Sequence, residues 1–208
     1  PQLSLFCGVV ADYAFLEEVL AGWRPDYIFH LAAQAAPSLA WANAQETLSV
    51  NVIGQYNVLA AVAQAAPEAR VLVVGSGEEY GLVQPSELPI KETNPLRPNS
   101  PYAVSKIAQD MLGYQFFLSH ELRTVRVRPF NHIGPRQSEA FVTASFAKQI
   151  AEIEAGQRPP VLQVGNLDMR RDFCDVRDIV RGYWLALLEG RPGDVYNLGS
   201  GRSHSVAE

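Results

Sequence analysis

Three observations on this chain predict an α/β fold, a parallel sheet wound on both faces by helices with a smaller lobe interleaved. Short apolar, β-branched runs alternate with longer segments whose apolar residues recur at helical spacing, the signature of β-α units rather than hairpins. The segments that leave the strand-like runs, Ala32 to Pro37, Gly75 to Gly81 and Pro129 to Arg136, are rich in Gly, Ser, Asn, His and Pro. After Arg136 the texture changes to shorter and more polar pieces. In open parallel sheets ligands bind beyond the carboxyl ends of the strands, so the second observation also locates a site.

From the start of the chain, Leu3 to Cys7 reads as a short buried strand, and Asp12 to Gly22 as a helix with Phe15, Leu16, Val19 and Leu20 at helical spacing. Arg24-Pro25-Asp26 turns the chain into a strand over Tyr27 to Leu31. A long helix from Ala44 to Ala66 is ended by Pro67. Arg70 to Val74 is an apolar strand. Ser100 suits a cap and Pro101 a first helical position, opening a helix that runs to Leu122. Thr124 to Arg128 is the next strand, ended by Pro129. Beyond Arg136, Phe141 to Ala155 reads as a helix, Val161 to Val164 as a short strand, Val176 to Leu188 as a helix and Val195 to Leu198 as a strand.

Composition narrows the function classes. The chain has 208 residues, 48% of them apolar and 19% charged, enough for a sizeable core and typical of a water-soluble domain. A net charge of -5 does not suit a nucleic-acid surface, and a bound polyanion would have to meet a local basic site. No apolar run approaches the roughly 18 residues of a membrane span, and no signal peptide is visible. Cys7 and Cys174 lie far apart without metal-ligand spacing, so they read as free thiols of a cytoplasmic protein with no metal site.

Tyr102 and Lys106 are four apart on a predicted helix and share one face. The ammonium would favour the ionised phenol and lower its pKa, and the positive helix start would push the same way. A phenol so tuned can exchange a proton with a hydroxyl or carbonyl oxygen. The spacing alone is also that of an ordinary surface helix, so its weight comes from its company. Ser76 lies just past a strand and can hydrogen-bond the same substrate oxygen, or else satisfy turn backbone. Glu78 is available as a further acid or base, while Glu79 reads as a solvated loop charge. His30, inside a strand, and His132, bracing its loop, read as structural.

Together these pieces resemble the extended short-chain dehydrogenase/reductase family. The resemblance is carried by Asp26 to Gln34, Asn51-Val52-Ile53-Gly54, Ser76 to Gly81, Pro101-Tyr102-Ala103-Val104-Ser105-Lys106 and Arg128-Pro129-Phe130-Asn131-His132. Arg171 to Asp178 and Tyr196 to Gly201 complete it, in family order over almost the whole chain. Within the family the chain is most similar to reductases of GDP-4-keto-6-deoxy sugars. GDP-mannose 4,6-dehydratases are similar in several segments, but they usually carry Glu-Ser where Ile133-Gly134 stands and Thr-Ser-Glu-Leu where Ser76-Gly77-Glu78-Glu79 stands. Gly77 also departs from the usual Ser.

The resemblance implies a Rossmann-like, NADP- or NAD-dependent enzyme that reduces the C4 keto group of a GDP-4-keto-6-deoxy-hexose. Tyr102 would protonate the developing alkoxide, Ser76 polarise the carbonyl, Lys106 hold Tyr102 acidic and bond the nicotinamide ribose, and Glu78 stand by at the substrate. Small Ala32 and Ala33 would let the cofactor pass the strand end, Asn51 would hold the active-site helix or the cofactor, and Pro129 and His132 would border the nicotinamide. Asn131, Lys148 and Arg171 would take the sugar nucleotide, a guanidinium being able to grip a diphosphate with two parallel hydrogen bonds. The plainer readings are an ion pair of Arg171 with Asp175 or Asp178 and a solvated Lys148. The resemblance divides the chain into a cofactor part, 1–135 with a return over 172–198, and a substrate lobe, 136–171 and 199–208. It also implies a homodimer through the long helices. The glycine-rich turn a dinucleotide site needs does not occur near the start of this sequence. That predicts a first strand, helix and second strand outside it. The alternatives are a GDP-mannose 4,6-dehydratase or another NAD-dependent sugar-nucleotide dehydratase or epimerase, and a nucleotide sensor without catalysis, against which intact Ser76, Tyr102 and Lys106 speak.

Overall fold

Asp12 starts the first helix by accepting the Phe15 N–H at 3.0 Å, and α1 runs over Tyr13–Trp23. This is a computed structural model of the chain, and it describes residues 3–208. The strand β1, Tyr27–His30, comes next, then two short helices, α2 (Pro37–Ala42) and α3 (Ala44–Leu48). A widened π turn over Ser49–Ile53 joins α3 to α4, Gly54–Ala65, so the expected long helix is continuous but carries an extra residue in one turn. Then come β2 (Arg70–Val74), α5 (Pro101–His120), β3 (Arg123–Pro129) and β4 (Asn131–Ile133). The chain closes with α6 (Val142–Glu154), β5 (Arg170–Asp175), α7 (Val176–Glu189), β6 (Val195–Leu198) and β7 (Ser203–Ser205).

The main sheet has the order β1-β2-β3-β6 and is parallel throughout. His30 pairs with Val73, Val74 with Val127 and Pro129 with Leu198, so the strand ends lie side by side. Successive side chains go to opposite faces. Val71 and Val73 join Val58, Leu59, Val62 and Phe116 in the core beneath α4 and α5. Leu72, Val125 and Val127 join Ile179, Tyr183 and Leu187 beneath α7. A fully buried aliphatic side chain stabilises by about 1.5–3 kcal/mol, so these two layers hold the sheet between its helices. The doubly wound parallel architecture is as predicted.

Strand β3 departs from a simple apolar strand. Its α5-facing residues are Thr124, Arg126 and Arg128, all buried. Thr124 donates to the Gly113 carbonyl at 2.8 Å. Asp110 of α5 accepts Arg126 Nη1 at 2.8 Å, Arg128 Nε at 2.9 Å and Arg128 Nη2 at 2.5 Å. Buried guanidinium groups persist only when paired in this way.

A second sheet, ordered β4-β5-β7, sits beyond the end of β3. Here β4 and β5 are parallel and β5 and β7 antiparallel. None of its strands was expected, because Asn131–Ile133, Arg170–Asp175 and Ser203–Ser205 lack apolar alternation. Two expected strands are corrected. Leu3 to Cys7 is exposed and joins no ladder among the described residues, and Val161 to Val164 forms none either. An apolar run without a partner strand cannot satisfy its backbone as a sheet does.

Candidate active site

Strand β2 ends at Val74, and the next two residues lead into a helical turn. Ser76 caps a single 3-10 turn, Gly77–Tyr80, its Oγ accepting the Glu78 N–H at 3.1 Å. Tyr102 lies in the first turn of α5, which Ser100 caps by accepting the Ala103 N–H at 3.1 Å. Ser76, Tyr102 and Lys106 are all buried. The Ser76 hydroxyl is near enough to the Tyr102 phenol to favour its ionised form. Lys106 Nζ donates to the Val74 carbonyl at 2.9 Å and stands 5.9 Å from the Tyr102 ring centroid. Strand end and helix start therefore bring these three side chains to one place.

Their electrostatics differ from the expectation for Tyr102. Burial pushes the phenol up to about 12. The Ser76 hydrogen bond works against this, and the Glu78 and Glu79 carboxylates add to it. Lys106 does not offset the burial, because its own ammonium is desolvated and drawn down to about 8 despite the pull of Glu79. Tyr102 is thus a phenol held protonated, suited to giving a proton to an oxyanion.

Asn51 ties the surroundings together from the π turn. It is fully buried; its Oδ1 accepts the Gln34 N–H at 2.8 Å, and its Nδ2 donates to the Gln34 carbonyl at 3.0 Å and to Ser105 Oγ at 2.9 Å. Ser105 Oγ donates on to the Tyr102 carbonyl at 2.7 Å. The loop after β1, carrying exposed Ala32 and half-buried Ala33, is so fastened to α5. His30, just before that loop, is buried, with its Nε2 unpartnered among the described residues, and desolvation together with the weaker effect of the Lys106 charge lowers its pKa to about 4.

On the other side, Pro129 is buried at the end of β3. His132 in β4 shares a hydrogen bond of 3.0 Å between its Nδ1 and the Phe130 carbonyl, a brace for its own loop. A cavity of about 420 Å³ opens beside β4 and β5, lined among others by Asn131, Phe141, Val142, Gln163, Asn166 and Arg171. Arg171 Nε lies 3.9 Å from Glu78 Oε1, linking this cavity to the Ser76 turn. Asp175 is instead taken by Arg177, at 2.5 Å. Lys148 does not line the cavity; its ammonium is bound to Glu139, which does.

Glu79 corrects the sequence reading most plainly. It is fully buried instead of solvated: Oε1 accepts the Ser76 N–H at 2.8 Å and Oε2 lies 3.0 Å from Arg128 Nε. The Arg128 N–H is directed to Asp110, leaving Glu79 Oε2 without a hydrogen bond. Burial first and the Asp110 charge second raise the Glu79 pKa, against the pull of Arg128. Ser105, Gln34, Asp110 and Arg128 were likewise missed as partners of the site. Arg126 and Arg128 inside an apolar strand were the readable signal, since buried charges demand partners.

The model of the GDP-mannose 4,6 dehydratase family matches residues 1–208. The chain belongs to that family. It is 40% identical over 184 residues to the GDP-6-deoxy-D-mannose reductase of Pseudomonas aeruginosa, covering 88% of this chain and 60% of that protein. It is 32% identical over 209 residues to the GDP-mannose 4,6-dehydratase of Vibrio cholerae serotype O1, covering 100% of this chain and 55% of that protein. The chain thus spans a little over half the length of these relatives. The structure of RMD from Pseudomonas aeruginosa complexed with NADPH superposes with a TM-score of 0.92 at 36% identity, over 97% of this chain and 67% of that one. The UDP-glucose 4-epimerase of Thermus thermophilus in complex with NAD superposes with a TM-score of 0.85 at 30% identity, over 96% and 64%. Among the described residues no cluster of His, Cys, Asp or Glu could hold a metal, and no helix is long and apolar enough to cross a membrane.

Proposed function

We propose that this chain carries the proton-donating half of an NADPH- or NADH-dependent reductase acting on the C4 keto group of a GDP-4-keto-6-deoxy-hexose. The observation that carries the reading is the convergence of Ser76, Tyr102 and Lys106 at the end of β2, with Tyr102 held protonated by burial. The likeness to a GDP-6-deoxy-D-mannose reductase and to a fold that binds NADPH supports it.

The donor set fits a nicotinamide on this side of the sheet. Ala32, Ala33, Pro129 and His132 would border it, and Lys106 would reach its ribose. Asn51 would act through α5 and Gln34. When bound, the nicotinamide supplies a hydride to the sugar carbonyl carbon. Ser76 holds the carbonyl oxygen by its hydroxyl and Tyr102 gives that oxygen a proton. Asn131 and Arg171 would take the sugar nucleotide in the 420 Å³ cavity, Arg171 exchanging Glu78 for a phosphate. Lys148 would exchange Glu139 in the same manner at the rim. Residues 1–135 with 172–198 form the cofactor part on this reading, and 136–171 with 199–208 the substrate lobe.

Glu78 is the observation that favours a second reading, a 4,6-dehydratase, since elimination needs one more acid or base. Two glycines speak for the reductase. A Cβ at Gly134 would meet Val176 Cγ1 at 2.4 Å, and one at Gly77 would meet the Phe130 ring at 3.0 Å, so the side chains dehydratases carry at both positions would have to displace packed neighbours. The test uses the full-length protein. Oxidation of NADPH on adding GDP-4-keto-6-deoxy-D-mannose is expected. Formation of a 4-keto product from GDP-mannose without added nucleotide would instead establish the dehydratase.

The reading extends to a cytoplasmic homodimer. Val104, Met111 and Leu118 recur every seven residues on α5 and are exposed, next to exposed Ile53 and Tyr56. Such a stripe is the usual face of a helix pair. Sedimentation of the full-length protein should give a dimer, and Met111→Glu a monomer.

A further inference from the structure

Glu79 lies behind the candidate site, and no step of the proposed reduction uses it. Its carboxylate holds the Ser76 N–H at 2.8 Å while Ser76 Oγ holds the Glu78 N–H, so the two residues close a reciprocal capping box around one short turn. An amide would accept the same N–H without burying an ionisable group. The acid is accounted for by its other side, where Oε2 sits 3.0 Å from Arg128 Nε, and Arg128 is in turn held by Asp110. Asp110 is two turns along α5 from Tyr102. Glu79 therefore touches the turn that carries Ser76, strand β3 and, through Arg128, the helix that carries Tyr102. The space for it is kept by Gly75, where a Cβ would come within 2.2 Å of Glu79 Oε1.

We propose that Glu79 is a positioning residue that fixes the Ser76 hydroxyl relative to Tyr102, gripping the Ser76 backbone with one oxygen and standing on the Arg128–Asp110 pair with the other. Its effect on turnover rests on the reductase reading, whereas its hold on Ser76 can be measured without it.

The experiment compares Glu79→Gln, which keeps an oxygen for the Ser76 N–H, with Glu79→Leu, which has none. In the full-length protein, amide exchange at Ser76 should quicken about tenfold or more in Glu79→Leu and stay near wild type in Glu79→Gln. With NADPH and GDP-4-keto-6-deoxy-D-mannose, Glu79→Leu should lose about a hundredfold in kcat with little change in KM, the scale of a reacting group displaced by ~1 Å. On a Ser76→Ala background it should lose almost nothing more, because the hydroxyl it places is already gone. Should Glu79→Leu fail to fold, Gly75→Ala, which crowds the same oxygen, carries the same three measurements. Unchanged Ser76 exchange in a folded variant, or a loss fully additive with Ser76→Ala, overturns the proposal. A wild-type protein that leaves the ketosugar untouched refutes the reductase reading instead, and the exchange result still decides the role of Glu79.

Discussion

Lys106 Nζ donates to the carbonyl oxygen of Val74 at 2.9 Å, joining the active-site helix to the last residue of β2. The bond spends part of the ammonium's hydrogen-bonding capacity on the scaffold and fixes its height below the loop that carries Ser76. It also explains why Lys106 does not lower the Tyr102 pKa: the charge is aimed at a strand end, and it is itself disfavoured by burial.

Tyr102→Phe removes the proposed proton donor and leaves the ring. Turnover on the ketosugar should fall by about two to four orders of magnitude, the scale of general acid catalysis, while NADPH binding measured by fluorescence stays within a few-fold. A variant that turns over at the wild-type rate would remove Tyr102 from the mechanism.

The pH profile should be set by Lys106 and not by Tyr102. The phenol, raised to about 12, remains protonated across the working range. The ammonium, lowered to about 8, loses its charge as pH rises past that value. Turnover at saturating substrate should therefore decline on the alkaline side of about 8. Lys106→Met, uncharged at every pH, should show a lower rate without that decline; an unchanged alkaline limb in this variant would assign it to another group.

His30 should make the protein acid-sensitive. Its folded pKa of about 4 lies below the ordinary value of 6.5, so the unfolded chain binds the proton first. Stability from this residue is complete above 6.5 and drains away as pH falls toward 4. Between those limits the wild type should lose about 3 kcal/mol more than His30→Gln, the free-energy equivalent of the shift. Urea melts of both proteins at pH 7 and pH 4 measure the difference.

Arg128→Met strips the buried carboxylates of their shared cation. Asp110 keeps Arg126, but Glu79 keeps no cation within reach among the described salt bridges. Breaking one side of a buried ion pair destabilises by about 3–5 kcal/mol, and calorimetry should show a melting temperature lower by several degrees. Adding Glu79→Met should recover part of the loss, since the buried acid left without its cation is then removed as well.

Much of the scaffold was legible. Arg70 to Val74 and Val195 to Leu198 are strands as read, because their apolar runs meet partners on the sheet. Ser100-Pro101 opens α5 as its cap chemistry requires. The small sheet was illegible because pairing, not hydrophobicity, makes it: Asn131 to Ile133 and Arg170 to Asp175 are polar strands that only their mutual register reveals. Leu3 to Cys7 failed in the opposite way, apolar enough for a strand but with no strand paired to it among the described residues. At the site, Ser76, Tyr102 and Lys106 could be read from spacing and company. Glu79 could not, since two adjacent carboxylates between glycines look solvated until Arg128, 49 residues on, is brought against one of them.

The π turn at Ser49–Ile53 bears on how this chain can change length. Asn51 reaches both Gln34 and Ser105 from within the turn that is wound one residue wide. Removing a single residue there would close the turn to regular winding and leave α3 and α4 close to their present phase, because the wide turn already absorbs that residue, but Asn51 would lose its place between Gln34 and Ser105. An exchange of one side chain in this segment is a local matter, whereas an insertion or deletion in the regular turns on either side, where nothing absorbs it, resets the phase by about 100°. Residue count, as much as residue identity, is part of what the active site inherits.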